Sequence, residues 1–279
     1  MDSLMPDKMA EQAEDVGIKK ANRSFSKTFV LAILAGAFIS FGAIFATTIT
    51  AEPTLSPGFT KLLGGVAFSL GLILVIVGGA ELFTGNNIIV MAWANKRIKT
   101  AQVLRNWSIV FFGNFVGALS ITVLMFYSEQ YSSGSGSIGA KALSIAETKC
   151  SLGFAQAIIL GILCNTLVCL AVWLCYSAKT TSGKILSILF PITAFVAAGF
   201  EHSIANMYFI PKAILIKSLA TNDFWASINA SPEMYENVTW SNFLVDNLIP
   251  VTIGNIIGGA VMVGFVYWFV YLKGNTRKA

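Results

Sequence analysis

Glu81-Leu82-Phe83-Thr84-Gly85-Asn86 and Glu201-His202-Ser203-Ile204-Ala205-Asn206 share one pattern, a glutamate five residues ahead of an asparagine, in opposite halves of the chain. Each copy interrupts an otherwise apolar stretch. Glu81 and Glu201 are the acids placed inside those stretches, and His202 is the one histidine in 279 residues. An ionised side chain at the centre of a bilayer costs about 2.5–3.5 kcal/mol on insertion scales, so such a group marks a pathway by default. Paired interruptions in corresponding halves point to the route of a transported solute.

The composition around them is that of a membrane protein. The mean hydropathy is +0.71, 55% of residues are hydrophobic and 12% are charged, whereas soluble domains carry about 25% charged residues. Residues 1–24 are polar and contain no apolar signal core, so the first apolar span is expected to direct insertion. Six apolar regions follow, near 28–50, 62–95, 106–128, 153–176, 185–211 and 248–272. As one helix, the second region would measure roughly 51 Å at 1.5 Å per residue. The hydrocarbon core is about 30 Å thick, so this region has to break, tilt or run out into water. Its Glu-x-x-Thr-Gly-Asn segment is the natural break, and Glu201-His202-Ser203 is the break of the fifth region.

Small residues extend the doubling. Gly113-Asn114-Phe115-Val116-Gly117 follows the first break and Gly254-Asn255-Ile256-Ile257-Gly258 the second. Both read Gly-Asn-x-x-Gly, a pattern that lets helices approach closely. Three spans per half is an odd number, so the halves enter the membrane in opposite senses. The expected fold is all-α, six spans as a 3+3 inverted repeat with two broken helices. The organisation is a cytoplasmic amphipathic segment at 1–27, a pore domain at 28–272 with repeats at about 28–128 and 153–272, and a tail at 273–279.

Orientation follows from Lys and Arg placement. With the N-terminus cytoplasmic, 14 of the 19 basic residues fall inside, leaving Lys61, Lys141, Lys149, Lys212 and Lys217 outside. Both termini are therefore expected in the cytoplasm of a cell with this protein in its inner membrane. The net charge of +5 reflects this bias and gives no reason to expect a nucleic-acid partner. Around Pro6 to Val16, Met5, Met9, Ala13 and Val16 recur at helical spacing. A surface helix and a lid over the pore both fit that segment.

Other chemistries find little support. Cys150, Cys164, Cys169 and Cys175 include no Cys-x-x-Cys and read as small buried hydrophobes, so neither a metal nor a cofactor is expected. There is no Walker motif for ATP-driven transport. His202 and Ser203 are adjacent, their side chains diverge, and a Ser–His dyad of an intramembrane enzyme is not expected.

The stretches Phe68-Ser69-Leu70-Gly71-Leu72, Glu81-Leu82-Phe83-Thr84, Gly199-Phe200-Glu201-His202-Ser203-Ile204-Ala205-Asn206-Met207 and Asn247-Leu248-Ile249-Pro250-Val251-Thr252-Ile253-Gly254-Asn255 resemble the formate/nitrite transporter family, and within it the formate channels. The resemblance runs from about residue 28 to 272. It implies an aquaporin-like fold and a homopentamer with one pore per protomer. By matching motif it makes His202 the central pore histidine, faced by Thr84, with Asn255 nearby. Lys149 becomes the external-side lysine with Asn165 near it. Phe68, Leu72, Phe83, Val168 and Phe195 form apolar constrictions. Close relatives are expected to carry Asp where this chain has Glu81, which keeps the carboxylate and adds one methylene.

A bare anion loses its hydration at an apolar constriction at steep cost, whereas neutral formic acid passes cheaply. Lys149 suits the attraction of an anion. His202, with an unperturbed value near 6.5, suits the loan of a proton. Formate is therefore the favoured cargo, with a proton as its companion. A nitrite-preferring relative and a pore for neutral solutes remain alternatives. Glu81 and Glu201 also fit the capping of the broken helix ends outside the pore, which is the favoured reading for them, and Lys149, beside Glu147, also fits an ordinary loop lysine.

Overall fold

The computed structural model describes residues 3–52 and 54–274, so positions 275–279 of the tail lie outside the described residues. Helix α1 (Pro6–Asn22) starts at a proline, whose missing amide would be unpaired there in any case. Helices α2 (Phe25–Thr50) and α3 (Pro57–Gly78) follow. The chain then leaves helix through 79–84, resumes as a 3-10 turn (Gly85–Ile89) and ends this half-span as α4 (Val90–Ala94). Helix α5 (Thr100–Tyr127) completes the first repeat.

Helix α6 (Ser137–Cys150) leads into the second repeat: α7 (Phe154–Ser177), α8 (Thr181–Ala198), a break at 199–202 and α9 (Ser203–Leu219). The short α10 (Asn222–Ser227) precedes the last span. There α11 (Ile249–Ile256) lies between two π-helical segments, Asn242–Leu248 and Ile257–Phe265, and runs on into α12 (Val266–Tyr271). Six helices are long and apolar enough to cross a bilayer, and no strand occurs among the described residues. The second span begins at Pro57 rather than near 62 because proline suits a first helical turn.

The two breaks have one construction. Helix α3 ends at Gly79, φ +82°, and α8 at Gly199, φ +74°. Both glycines sit in the left-handed region, where a side chain costs about 1–2 kcal/mol. In each, the next residue's amide turns back onto the helix, Ala80 to the Val75 carbonyl at 2.9 Å and Phe200 to the Phe195 carbonyl at 3.0 Å. This closure satisfies the helix end and stops it.

Packing follows the same symmetry. Helix α2 lies on α3 and α5, α7 lies on α8 and α11, and the halves join through α3 against α8 and α5 against α9. A β-carbon at Gly117 would collide with the Ile33 carbonyl, and one at Gly258 with the Ile162 carbonyl. The outer glycine of each Gly-Asn-x-x-Gly motif thus sets how closely the first and third spans of a repeat approach.

Around Gly199 no atom lies within 4 Å of an added β-carbon. Gly199→Ala should therefore lose only the conformational term, about 1–2 kcal/mol. Gly258→Ala adds a backbone clash and should lose more. Unfolding midpoints of detergent-solubilised protein measure both, and equal losses would refute this account of the two glycines.

Candidate functional site

Backbone freed by a helix break needs partners, since lipid offers none. One asparagine per repeat supplies them. The Asn114 Nδ2 donates to the Ala32 and Glu81 carbonyls at 2.8 and 2.9 Å, while its Oδ1 accepts from the Phe83 amide at 2.9 Å. The Asn255 Nδ2 donates to the Gly161 and Glu201 carbonyls at 2.8 and 2.9 Å, while its Oδ1 accepts from the Ser203 amide at 2.9 Å. These two side chains are the asparagines of the Gly-Asn-x-x-Gly motifs, and each stitches a break to the first and third spans of its repeat.

The two glutamates are buried, at 2% and 4% exposure, and each is held by a cation and by the asparagine five residues on. Glu201 Oε1 accepts from Lys149 Nζ at 2.7 Å and its Oε2 from Asn206 Nδ2 at 2.7 Å. Asn206 donates also to Asn247 Oδ1 at 2.7 Å. In the other repeat Glu81 Oε2 accepts from Asn86 Nδ2 at 2.7 Å, and Asn86 donates also to Asn106 Oδ1 at 2.9 Å. Lys20 Nζ lies 3.2 Å from Glu81 Oε2, and Arg23 pairs with Oε1. Lys20 additionally donates to Asn86 Oδ1 at 2.6 Å. Asn206 Oδ1 has no such donor. The first unit is thus locked at both groups, the second at the carboxylate alone.

His202 stands at the N-cap of α9. Its Nδ1 accepts from the Ala205 amide at 3.1 Å, so the ring proton sits on Nε2, which faces Thr84 Oγ1 at 2.9 Å. The histidine therefore joins the two breaks directly. Phe195 stacks on its ring with centroids 6.0 Å apart, and Phe68 meets Phe195 edge-on at 5.7 Å. Phe68, Phe195, His202, Glu201 and Lys149 all line one cavity of about 370 Å³, a vestibule with His202 in its wall.

The remaining sequence-derived residues lie deeper. Leu72, Phe83 and Val168 are buried in the central core, and Phe83 makes edge contacts with Phe111 and Trp107 at 5.1 and 6.2 Å. Asn165 does not join Lys149. Its Nδ2 sits against the Thr84 carbonyl, Asn87 Oδ1 and the Asn255 carbonyl, at 3.3, 2.7 and 2.6 Å. Glu81 makes no bond to His202; it faces the cations of α1 and the α1–α2 junction. The four cysteines are buried and free, and no group of three His, Cys, Asp or Glu side chains could hold a metal ion among the described residues.

Several participants escaped the sequence reading. Lys20 and Arg23, the partners of Glu81, read from sequence only as part of a cytoplasmic segment. Lys20 precedes Phe25 of α2 by the same five positions that separate Lys149 from Phe154 of α7. That register was a usable signal. So was a second one: Asn106 and Asn114 are eight apart, as are Asn247 and Asn255, two helical turns on one face. Phe209, which stacks on Phe68 at 6.3 Å and takes the Lys149 ammonium at 5.7 Å from its ring, carried no sequence signal.

Two inverted, broken-helix repeats closing on a histidine–threonine contact define a membrane transport protein with its solute route between the repeats. The chain belongs to the formate/nitrite transporter family, whose family model matches residues 7–269. It is 48% identical over 277 residues to the formate channel FocA of Escherichia coli K12, covering 99% of this chain and 97% of that one. It is 42% identical over 263 residues to the Haemophilus influenzae formate channel FocA, covering 94% and 93%. A solved pentameric formate channel with formate bound superposes with a TM-score of 0.83 at 42% identity, covering 89% of this chain and 98% of that one. An FNT family ion channel superposes at 0.78 with 28% identity, covering 94% and 98%.

Removing one partner from a buried ion pair typically costs about 3–5 kcal/mol. Lys149→Met is expected to lower stability on that scale. Adding Glu201→Gln should recover most of the loss, because the stranded charge goes too. Thermal unfolding of the single and double variants in detergent measures this; a double variant as weak as the single one would show that Lys149 matters for its packing alone.

Proposed function

We propose that this protein carries formate across the cytoplasmic membrane, accompanied by a proton, through a pore in each protomer of a homopentamer with both termini in the cytoplasm. The observation that carries the reading is the vestibule. It is lined by Lys149, by Phe68 and Phe195, and by His202, whose Nε2 meets Thr84 Oγ1 at 2.9 Å. The named relatives support formate as the cargo and five as the subunit number, and the lysine and arginine bias supports the orientation.

In this mechanism Lys149 attracts the anion. Phe68, Leu72, Phe83, Val168 and Phe195 supply the apolar constrictions that reject hydrated ions, since passage there strips water from any charge. His202 supplies the proton. Its Nδ1 is occupied by the Ala205 amide, so the ring as it stands is uncharged. Charging it requires the ring to turn Nδ1 off that amide and take up a proton from the vestibule. The proton then leaves the ring for a formate oxygen, formic acid crosses, and the ring returns to its cap. Thr84 and Asn165 hold the polar groups at the crossing, and Asn255 keeps the Ser203 amide in place. Glu81 and Glu201 anchor the cations at the two ends.

Helix α1 serves as the cytoplasmic lid. Met9, Ala10 and Ala13 pack with Ile88, Met91 and Trp173 in one apolar cluster over the end of the first broken helix. Glu14, 1% exposed, accepts from Asn95 Nδ2 at 2.7 Å, and Asn95 accepts in turn from Trp268 at 3.2 Å.

Proteoliposomes loaded with a pH dye test the proton step. Wild type should acidify its lumen as formate enters, and His202→Asn should abolish that acidification. Formate current without proton movement in both would make His202 a filter lining. Deleting residues 1–22 should change formate flux or its pH response, and no change in either would remove α1 from gating.

A further inference from the structure

Lys212, on α9, is 3% exposed, yet none of the four ion pairs among the described residues includes it. Its ammonium lies 5.9 Å from the centre of the Tyr208 ring, and no protein oxygen among the described residues accepts from it. Buried charges are ordinarily paired, and an ionisable residue at membrane depth is a functional candidate. Beside it is a chamber of about 10 Å³ lined by Thr47, Gln130, Tyr208 and Phe209. That is room for about one water. Thr47 Oγ1 donates to the Ala43 carbonyl and Gln130 Nε2 to Thr48, which leaves the Thr47 lone pairs and Gln130 Oε1 to hold that water under the ammonium. Thr47 and Phe209 also line the 370 Å³ vestibule, so one layer of side chains separates Lys212 from the anion's path.

Lys149 is neutralised by Glu201, Lys20 and Arg23 share the single carboxylate of Glu81, and Lys61 and Lys141 line the vestibule outside the ion pairs found among the described residues. Only the field of the Lys149–Glu201 pair largely cancels. The field of Lys212 does not, and low-dielectric walls focus such a field into a cleft. We propose that Lys212 is a specificity-determining residue that never touches the cargo: held charged over one water behind Phe209, it adds from a buried position an uncompensated positive potential that helps draw small monovalent anions into the vestibule. This rests on the transport reading above.

At an effective dielectric of about 20 and a separation of about 10 Å, two unit charges attract enough to change affinity about tenfold. Initial formate uptake into proteoliposomes, measured against concentration at low and high ionic strength, tests the idea in wild type, Lys212→Met, Lys212→Arg and Ala142→Asp. Ala142 faces the chamber, so the last variant adds the missing carboxylate and leaves the lysine in place. Lys212→Met and Ala142→Asp should each raise half-saturation about tenfold at low salt, with the difference narrowing at high salt and the maximal rate within about twofold. Lys212→Arg should keep the wild-type value. Should Lys212→Met fail to assemble, Ala142→Asp decides alone. Wild-type half-saturation in the variant that decides, or a rise indifferent to salt, overturns the proposal while formate transport stands. Wild type that carries no formate overturns the transport reading, and this proposal with it.

Discussion

A helix interrupted inside a bilayer leaves amides and carbonyls that lipid cannot satisfy, and everything else in this protein is arranged around that problem. Asn114 and Asn255 solve it. Each buried side-chain amide spends both ends on backbone, accepting from one amide at the helix break and donating to two carbonyls. An unsatisfied buried donor or acceptor costs about 1–3 kcal/mol, so leaving the two break groups that each asparagine satisfies without partners would be a heavy loss in a marginally stable fold. The glycines flanking each asparagine bring its helix close enough for the bonds to form. Close packing and hydrogen bonding are here one requirement, and the Gly-Asn-x-x-Gly motif is its expression.

The buried carboxylates extend the same logic to charge. Glu81 and Glu201 sit where an isolated anion would be expensive, and each has a cation and an amide as partners. Such pairs are poor evidence of stability, because desolvation offsets much of their attraction. Their value lies in placement. They hold Lys20, Arg23 and Lys149 beside the two broken helices with defined geometry. His202 occupies the middle, its one proton pointed across the gap between repeats at Thr84.

Much of this was legible in the amino-acid sequence because the bilayer admits so few solutions. Apolar runs gave the spans, the Glu-x-x-x-x-Asn pairs marked the breaks, and recurrence of Gly-Asn-x-x-Gly showed the inversion. The partners of Glu81 were not legible, since Lys20 and Arg23 precede the first span and read as ordinary positive-inside residues. Asn165 meets Thr84, Asn87 and Asn255 rather than Lys149 for a related reason: a motif places a residue on its helix and says little about which of several facing groups it meets. Phe209 and Lys212 lie on a helix whose every face is buried, so no periodicity distinguishes a vestibule wall from core. By the lysine and arginine bias alone Lys212 reads as one of the outside lysines.

The register of Lys20 and Lys149 makes α1 the first-repeat counterpart of α6. The duplicated unit is therefore a four-element module, with its cation-bearing helix leading. Each module presents the same groups: a lysine, then a carboxylate bound to an amide, leading to the contact between His202 and Thr84. A pore built this way has no intrinsic polarity in its repeated parts. Rectification has to come from what was not duplicated, namely Arg23 with the second lock on Asn86 at one end, and the wide vestibule with its extra lysines Lys61 and Lys141 at the other. The direction of net flow is then a property of the gradients and of these unrepeated additions.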